Sequence, residues 1–328
     1  MDVVVLAGGY GGARLAATLS EHLAGAGGAD HGGHLTVIAN VADDVRLHDL
    51  YISPDLDTIM YTLGGGLDTE RGWGRRDEAF RTNEELALYG VPTWFGLGDR
   101  DLATHLVRSQ MRRAGYSLTQ VTAALCRRWG LEEAGVTLLP VTDDRVETHV
   151  VMQTDAGPEA VHFQEWWIRH GAQPRPQEFV QVGLSDARPS REAIAAIQQA
   201  DLIVLAPSNP VVSIGPILAV PGVSQAIVES PAPVVGVSPI ISGRPLRGMA
   251  DTCLNAIGVD VSAEGVASHY GAAREGGLLD TWIIDTADAG QQAAVTASGI
   301  DCVVTGTVMD SPAVRAGLTA AILAQVRS

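Results

Sequence analysis

The stretch DVVVLAGGYGGAR, residues 2–14, decides the fold. VVVLA is a continuous apolar run without polar alternation, the pattern of a strand covered on both faces. GGYGG, residues 8–12, interrupts it, and a helical pattern runs from about Ala13 to Leu23. A second apolar run, LTVIAN, covers 35–40. Strand, glycine loop, helix, strand predicts a parallel, doubly wound sheet. GAGGADHGG, residues 25–33, reads as a surface loop between the helix and the second strand.

Outward from this start, residues 56–130 turn helical. DLDTIMYTL, EAFRTNEELALYG, DLATHLVRSQMRRAG and SLTQVTAALCRRWG carry helical periodicity, and three of them end in Gly, a frequent helix stop. VTLLPV (136–141) reads as a strand, and RVETHVVMQT with VHFQ reads as a hairpin around a Gly-Pro turn. A helix at 190–199 precedes the strands DLIVLAP (201–207) and PAPVVGVSPII (231–241). TWIIDT (281–286) and IDCVVTG (300–306) alternate with helices near 287–298 and 311–326. The expectation is one α/β domain over 1–328, three-layered, doubly wound, mostly parallel and Rossmann-like. Its sheet core is 1–55 and 131–328, and 56–130 is an inserted helical subdomain or lid.

The 328 residues are 46% apolar, enough for a large core, and carry a formal charge of −16. Such acidity argues against duplex nucleic acid and against anionic lipid as partners. There is no Lys: all 22 basic residues are Arg. That excludes Schiff-base chemistry and a Walker A loop. Cys126, Cys253 and Cys302 form no CxxC pair, which disfavours a zinc or redox site and fits a reducing compartment. MDVVVLAGG lacks a basic leader region, and no apolar run reaches the length of a membrane span. A soluble, cytoplasmic protein is expected.

Five segments could carry chemistry. Gly8, Gly9, Gly11 and Gly12 let backbone amides approach a phosphate at a helix start, and Arg14 could add a guanidinium fork; the plain alternative is a tight turn. The loop misses the third Gly of the dinucleotide fingerprint, and the second strand ends in Asn40 where a ribose-binding acid would stand. A mononucleotide diphosphate therefore fits better than NAD. NVADDVRLHDLYISPDLDT, residues 40–58, supplies Asp43, Asp44, Asp49, Asp55 and Asp57. Two carboxylates spaced like Asp55 and Asp57 can serve one Mg²⁺, with Asp44 and Asp57 the chosen candidates, or one of the pair can cap a helix. In GLGDRDLATH (96–105), Asp99 or Asp101 could cap a helix while Arg100 and His105 face a cleft. Ser208 and Asn209, between two prolines, suit recognition of a base or ribose. Arg244 and Arg247 are candidate anion ligands, or solvated surface Arg. Trp166 and Trp167 read as packing, and His149 and His162 lack metal spacing. There is no G-x-S-x-G elbow for a hydrolase triad.

LAGGYGG, NVADD, SPDLDT, GLGDRDLATHL, APSNPVVSIGP and SPIISG, in this order over residues 1 to about 310, resemble the 2-phospho-L-lactate transferase family (CofD). The resemblance implies a role in making the deazaflavin coenzyme F-420. The terminal hydroxyl of the precursor Fo attacks the phosphorus of a guanylyl diphosphate donor bearing phospholactate or phosphoenolpyruvate. GMP leaves, and Mg²⁺ is required. It further implies that Gly8, Gly9, Gly11, Gly12, Arg14, Asn40, Ser208, Asn209 and Arg244 hold the donor nucleotide. Asp44 and Asp57 would be the catalytic and metal-binding acids. Asp57, Leu97, Arg100 and His105 would meet Fo, under a helical cover. A homodimer is implied as well. Tyr10 stands where the family often has Thr. The motifs do not separate lactyl from enolpyruvyl donors; the Lys-free, GC-rich bias points to an actinobacterium and the enolpyruvyl form. The rival readings are a nucleotide-sugar-type or NAD-dependent enzyme on the same fold, and a non-catalytic nucleotide sensor.

Overall fold

The structure, a computed structural model, describes residues 1–25 and 33–326; most of the loop expected at 25–33 lies outside them. In chain order the elements begin with β1 (Asp2–Ala7), α1 (Gly9–Gly25), β2 (His34–Ala39), β3 (Val45–Leu47), β4 (Leu50–Ile52) and α2 (Pro54–Leu63). They continue with α3 (Arg81–Leu88), α4 (Asp99–Arg113), α5 (Leu118–Arg127), β5 (Val136–Pro140), β6 (Glu147–Thr154), β7 (Gly157–His162) and β8 (Pro176–Val182). Next are α6 (Arg191–Gln199), β9 (Leu202–Leu205), α7 (Gly215–Ala219), α8 (Val223–Glu229), β10 (Val234–Val237), β11 (Ile240–Ile241) and β12 (Arg244–Pro245). The chain closes with α9 (Ala250–Ala256), α10 (Ala263–Tyr270), β13 (Thr281–Ile284), α11 (Gln292–Ala297), β14 (Asp301–Val304) and α12 (Pro312–Leu323).

Seven strands form one sheet in the order β14-β13-β10-β9-β1-β2-β5, every neighbour parallel. Val3 to Leu6 pair with Leu35 to Ile38 on one side and Leu202 to Leu205 on the other. β9 and β10 are buried throughout, so both sheet faces are covered, which is why their sequences are continuous apolar runs. From β1 the chain winds outward through β2 to β5, then returns to β9 and winds the other way. The reversal between β1 and β9 opens a crevice at their carboxyl ends, where α/β sheets place ligands.

The helical start lies earlier than expected: α1 opens at Gly9, inside the glycine run. α2 belongs to the core, because Leu56, Ile59, Met60 and Tyr61 join the cluster that holds β1 and β2. α3 buries no residue, and Gly64 to Phe80 form a non-helical segment before it. In the hairpin, Asp155 and Ala156 make the turn and Gly157-Pro158 opens β7. β8 joins it as a third strand, in the order β7-β6-β8. PAPVVGVSPII splits: β10 lies in the main sheet and β11 pairs with β12. Among the described residues no single helix is long and apolar enough to cross a membrane.

Candidate active site

A cleft of about 820 Å³ opens over the crevice between β1 and β9. Its floor is the glycine loop and the turn after β9. Gly8 N–H donates to Ser208 Oγ at 3.1 Å, and Ser208 Oγ donates back to the Gly8 carbonyl at 2.7 Å. Gly9, at φ +62°, donates its amide to Asp55 Oδ1 at 2.7 Å. A helix start leaves its first amides without intrahelical acceptors. With Gly8 and Gly9 satisfied, those of Tyr10 and Gly11 stand at the cleft wall beside Arg14. Such an arrangement can receive an anion, as helix N-termini do.

The glycines answer to packing as well as to a ligand. A Cβ on Gly11 would lie 2.6 Å from the Pro207 carbonyl, and one on Gly12 would lie 2.5 Å from Ser208 Oγ. On Gly8 it would meet Asp55 Oδ2 at 2.6 Å. Gly12 is buried beneath the floor, whereas Gly8, Gly9, Gly11, Arg14, Ser208 and Asn209 line the cleft. Asn209 Oδ1 accepts from the Val211 and Val212 amides at 2.9 and 3.4 Å, so much of its side chain shapes the turn after β9.

The carboxylates that face the cleft are Asp43 and Asp55. α2 begins at Pro54, and Pro54, Asp55 and Thr58 share the face turned to the cleft. Asp57 points the other way, as two steps along a helix require. Asn40 is fully buried: its Nδ2 donates to Asp55 Oδ2 at 2.9 Å and to the Val212 carbonyl at 3.2 Å. It positions Asp55 without lining the cleft. Burial raises the Asp55 carboxyl to about 6 against the Asn40 and Gly9 hydrogen bonds. Asp43 is pushed well above the ordinary range, by burial first and then by the charges of Asp55 and Asp44. Its Oδ1 is buried with no hydrogen-bond partner.

The structure takes Asp44 and Asp57 to a different place. Asp44 Oδ2 accepts from the Ser53 hydroxyl at 2.7 Å, and Asp44 lines a small depression of about 60 Å³ with Arg108 and Asp143. Asp57 is buried and holds the Arg108 guanidinium through both oxygens. His105 Nδ1 lies 3.7 Å from Asp57 Oδ2, and His105 Nε2 lies 3.3 Å from Asp101 Oδ2. Tyr61 donates its hydroxyl to Asp101 at 2.6 Å. Ligand atoms of Asp57, Asp101 and His105 lie within 4.8 Å of one another, a spacing that could hold an ion. Arg108, fully buried, already neutralises Asp57 there, a pairing between distant helices that no local sequence pattern announces.

Leu97 packs with Val45, Leu50 and Ile52 in a small core, exposed Arg100 hydrogen-bonds through its amide to half-buried Glu78, and neither borders the cleft. Neither Asp99 nor Asp101 caps α4, whose cap residue is Gly98; Asp99 accepts the Thr82 amide instead. Ser53 is the cap residue of α2, so Asp55 and Asp57 are not caps. Arg244 is exposed away from the cleft, and Arg247 lines it instead. The mouth is apolar, formed by Trp73, Phe95, Trp167, Ile168 and Leu246, with buried Phe163 5.5 Å from the Trp167 ring. Trp166 is fully buried, as packing requires, but Trp167 is 40% exposed at this rim. His149 and His162 face each other across β6 and β7, and His162 Nε2 lies 3.1 Å from the Asp44 carbonyl.

Comparison with known proteins places this geometry. A phosphoenolpyruvate transferase of Streptomyces griseus is 54% identical over 303 residues, covering 92% of this chain and 91% of that protein. One from Mycobacterium avium is 52% identical over 333 residues, covering 97% and 98%. Two crystal structures of a Bacillus halodurans protein, one described as a member of the UPF0052 family, superpose with TM-scores of 0.63 and 0.61. They cover 98% of this chain and 99% of theirs, and at 18% identity they speak for the fold alone. The family model described as 2-phospho-L-lactate transferase CofD matches residues 3–306. With that match spanning nearly the whole chain, the protein belongs to the CofD family of 2-phospho-L-lactate transferases.

Proposed function

We propose that the cleft transfers a phosphoenolpyruvyl group from a guanylyl diphosphate donor to the terminal hydroxyl of Fo. The enolpyruvyl form is supported by relatives at 52–54% identity that are named phosphoenolpyruvate transferases. The observation that carries the reading is the meeting, in one cleft at the sheet's reversal point, of an anion-binding helix start with Asp43 and Asp55. Asn40, buried on Asp55, leaves no acidic residue at the end of β2 for a ribose, which tells against a dinucleotide enzyme.

In this reading the donor diphosphate lies on the Tyr10 and Gly11 amides and Arg14, with the nucleoside toward Ser208 and Asn209. The deazaflavin ring lies at the apolar mouth between Trp73, Phe95 and Trp167. The Fo hydroxyl forms a bond to the phosphorus bearing the three-carbon acid, the bond to the bridging oxygen breaks, and GMP departs. We assign the hydroxyl proton to Asp43 Oδ1, the buried oxygen that lacks a partner. Two buried carboxylates facing one cleft beside a diphosphate site fit a hard divalent cation. Asp55 would hold Mg²⁺, leaving Asp43 Oδ1 for the proton, and the ion when bound would draw charge from the diphosphate. The residues themselves supply position and a dry wall, the larger share of phosphoryl-type catalysis. The reading includes a cytoplasmic homodimer, which light scattering of the purified protein checks.

The direct experiment is mass spectrometry of the products formed from Fo with the enolpyruvyl and the lactyl diphosphoguanosine donors. The expected result is GMP and the enolpyruvyl phosphodiester of Fo, with slower turnover of the lactyl donor. Absence of a phosphodiester from either donor overturns the reading.

A further inference from the structure

Three cations line the cleft among the described residues, Arg14, Arg71 and Arg247, and their surroundings differ. Arg14 donates to the Met309 carbonyl and stands beside the free end of α1. Arg71 is already matched: its Nη2 lies 2.9 Å from Asp68 Oδ2 and 2.9 Å from the Arg75 carbonyl. Arg247 has no ion pair and no hydrogen bond to the protein among the described residues. Its guanidinium instead lies over the Tyr10 ring, 4.7 Å from the centroid. Arg14 lies 5.7 Å from the same ring. Gly72 completes the group: a Cβ there would strike Arg247 Nη1 and lie 3.6 Å from Tyr10 Cδ2, and the residue takes φ +78°.

Three separate segments thus converge on one ring: the start of α1, the stretch between α2 and α3, and the loop after β12. A guanidinium held over an aromatic face is fixed in place without losing its charge. A fixed, unneutralised guanidinium in a cleft is suited to a planar anion that it can bind through two N–H groups. Inorganic or ester phosphate already has the amides of Tyr10 and Gly11 and the Arg14 fork. The remaining anion of the donor is the carboxylate of its three-carbon acid, separated from phosphorus by one oxygen and one carbon.

We infer that Arg247, braced on Tyr10 and Gly72, binds the carboxylate of the donor's three-carbon acid and so distinguishes the acid-bearing donor from plain GDP. The inference rests on the transferase reading of the cleft. It also gives Tyr10 a role as the platform that sets two guanidinium groups at the spacing of a phosphate and a carboxylate. Lys at 247 would keep the charge but not the two-pronged geometry.

Arg247 is exposed, so its replacement leaves the fold intact. The test compares wild type, Arg247→Met and Arg247→Lys in GDP calorimetry and in initial rates with Fo and the enolpyruvyl donor. Arg247→Met should raise the donor KM by about 10- to 100-fold, the loss of a charge-assisted hydrogen-bond pair, with kcat changed far less. GDP affinity should stay within about twofold, and Arg247→Lys should fall between. Equal weakening of GDP and donor would overturn the inference in favour of a phosphate contact. An unchanged donor KM would overturn it in favour of a solvated side chain. Wild type that binds GDP yet never turns over the donor would overturn the transferase reading itself, and this inference with it.

Discussion

Ser208 Oγ holds both backbone groups of Gly8, accepting its N–H at 3.1 Å and donating to its carbonyl at 2.7 Å. These two residues lie 200 positions apart, at the ends of the adjacent strands β1 and β9. The clasp fixes the width of the crevice where the sheet reverses, and so the start of α1 relative to the turn after β9. Both residues are well covered, with Ser208 only 4% exposed.

Ser208→Ala should therefore leave two buried backbone groups unsatisfied. We expect a loss of about 1–3 kcal/mol in urea-induced unfolding and weaker GDP binding in calorimetry. Wild-type stability and affinity together would show that the clasp is dispensable.

Gly11→Ala tests the floor from the other side. Its Cβ would press within 2.6 Å of the Pro207 carbonyl, a backbone atom that cannot step aside alone. Overpacking of this kind costs about 1–3 kcal/mol. We expect a lower unfolding midpoint together with reduced GDP affinity; a variant matching wild type in both would mean that α1 and the turn after β9 are not closely apposed.

Asp285 supports another part of the cleft lining and gives a pH dependence with a definite sign. Its Oδ2 accepts the Thr307 amide at 2.7 Å and hydroxyl at 3.0 Å, and Thr307 lines the cleft. Burial opposes ionisation of Asp285, but the hydrogen bonds from Ala287 and Thr307 outweigh it and hold its carboxyl below the usual value of 3.8. A carboxyl depressed in the folded state stabilises above its unfolded pKa, and that contribution is lost as pH falls through the folded value. The stability gap between wild type and Asp285→Asn should be largest near neutral pH and shrink below about pH 4. A gap that widens on acidification would contradict the assignment.

The fold was legible because its central strands are buried on both faces, and continuous runs such as VVVLA and LIVL have few alternatives when glycine loops and helices separate them. Short elements were less legible. β3, β4 and β11 have two or three residues each, too few for a period, and β8 alternates only across its edge of a side sheet. The cleft was legible at the level of segments: GGYGG, NVADD, SPDLDT, PSNP and the stretch after β11 each lend residues to it. Of each pair, Asp43 and Asp55 line the cleft, whereas Asp44 and Asp57, the acids favoured from sequence, do not. The helical period from Pro54 already groups Asp55 with Thr58 and turns Asp57 toward Tyr61, four residues on. No such signal separates Asp43 from Asp44, and the Asp57–Arg108 pair joins helices 51 positions apart.

The central proposal is that Asp55, in the cleft beside Asp43, would hold the cation that the transfer needs, while Asp57 holds α2 to α4. The most direct measurement is turnover per folded molecule, with the unfolding free energy, for Asp55→Asn and Asp57→Asn side by side. Asp55→Asn should lose about 10²–10³-fold in kcat per folded molecule, with a smaller stability loss of about 1–3 kcal/mol because its amide can accept from only one of Gly9 and Asn40. Asp57→Asn strands the buried Arg108 guanidinium and should lose about 3–5 kcal/mol of stability while its folded fraction keeps turning over. A fully active Asp55→Asn beside a stable, inactive Asp57→Asn would contradict the account.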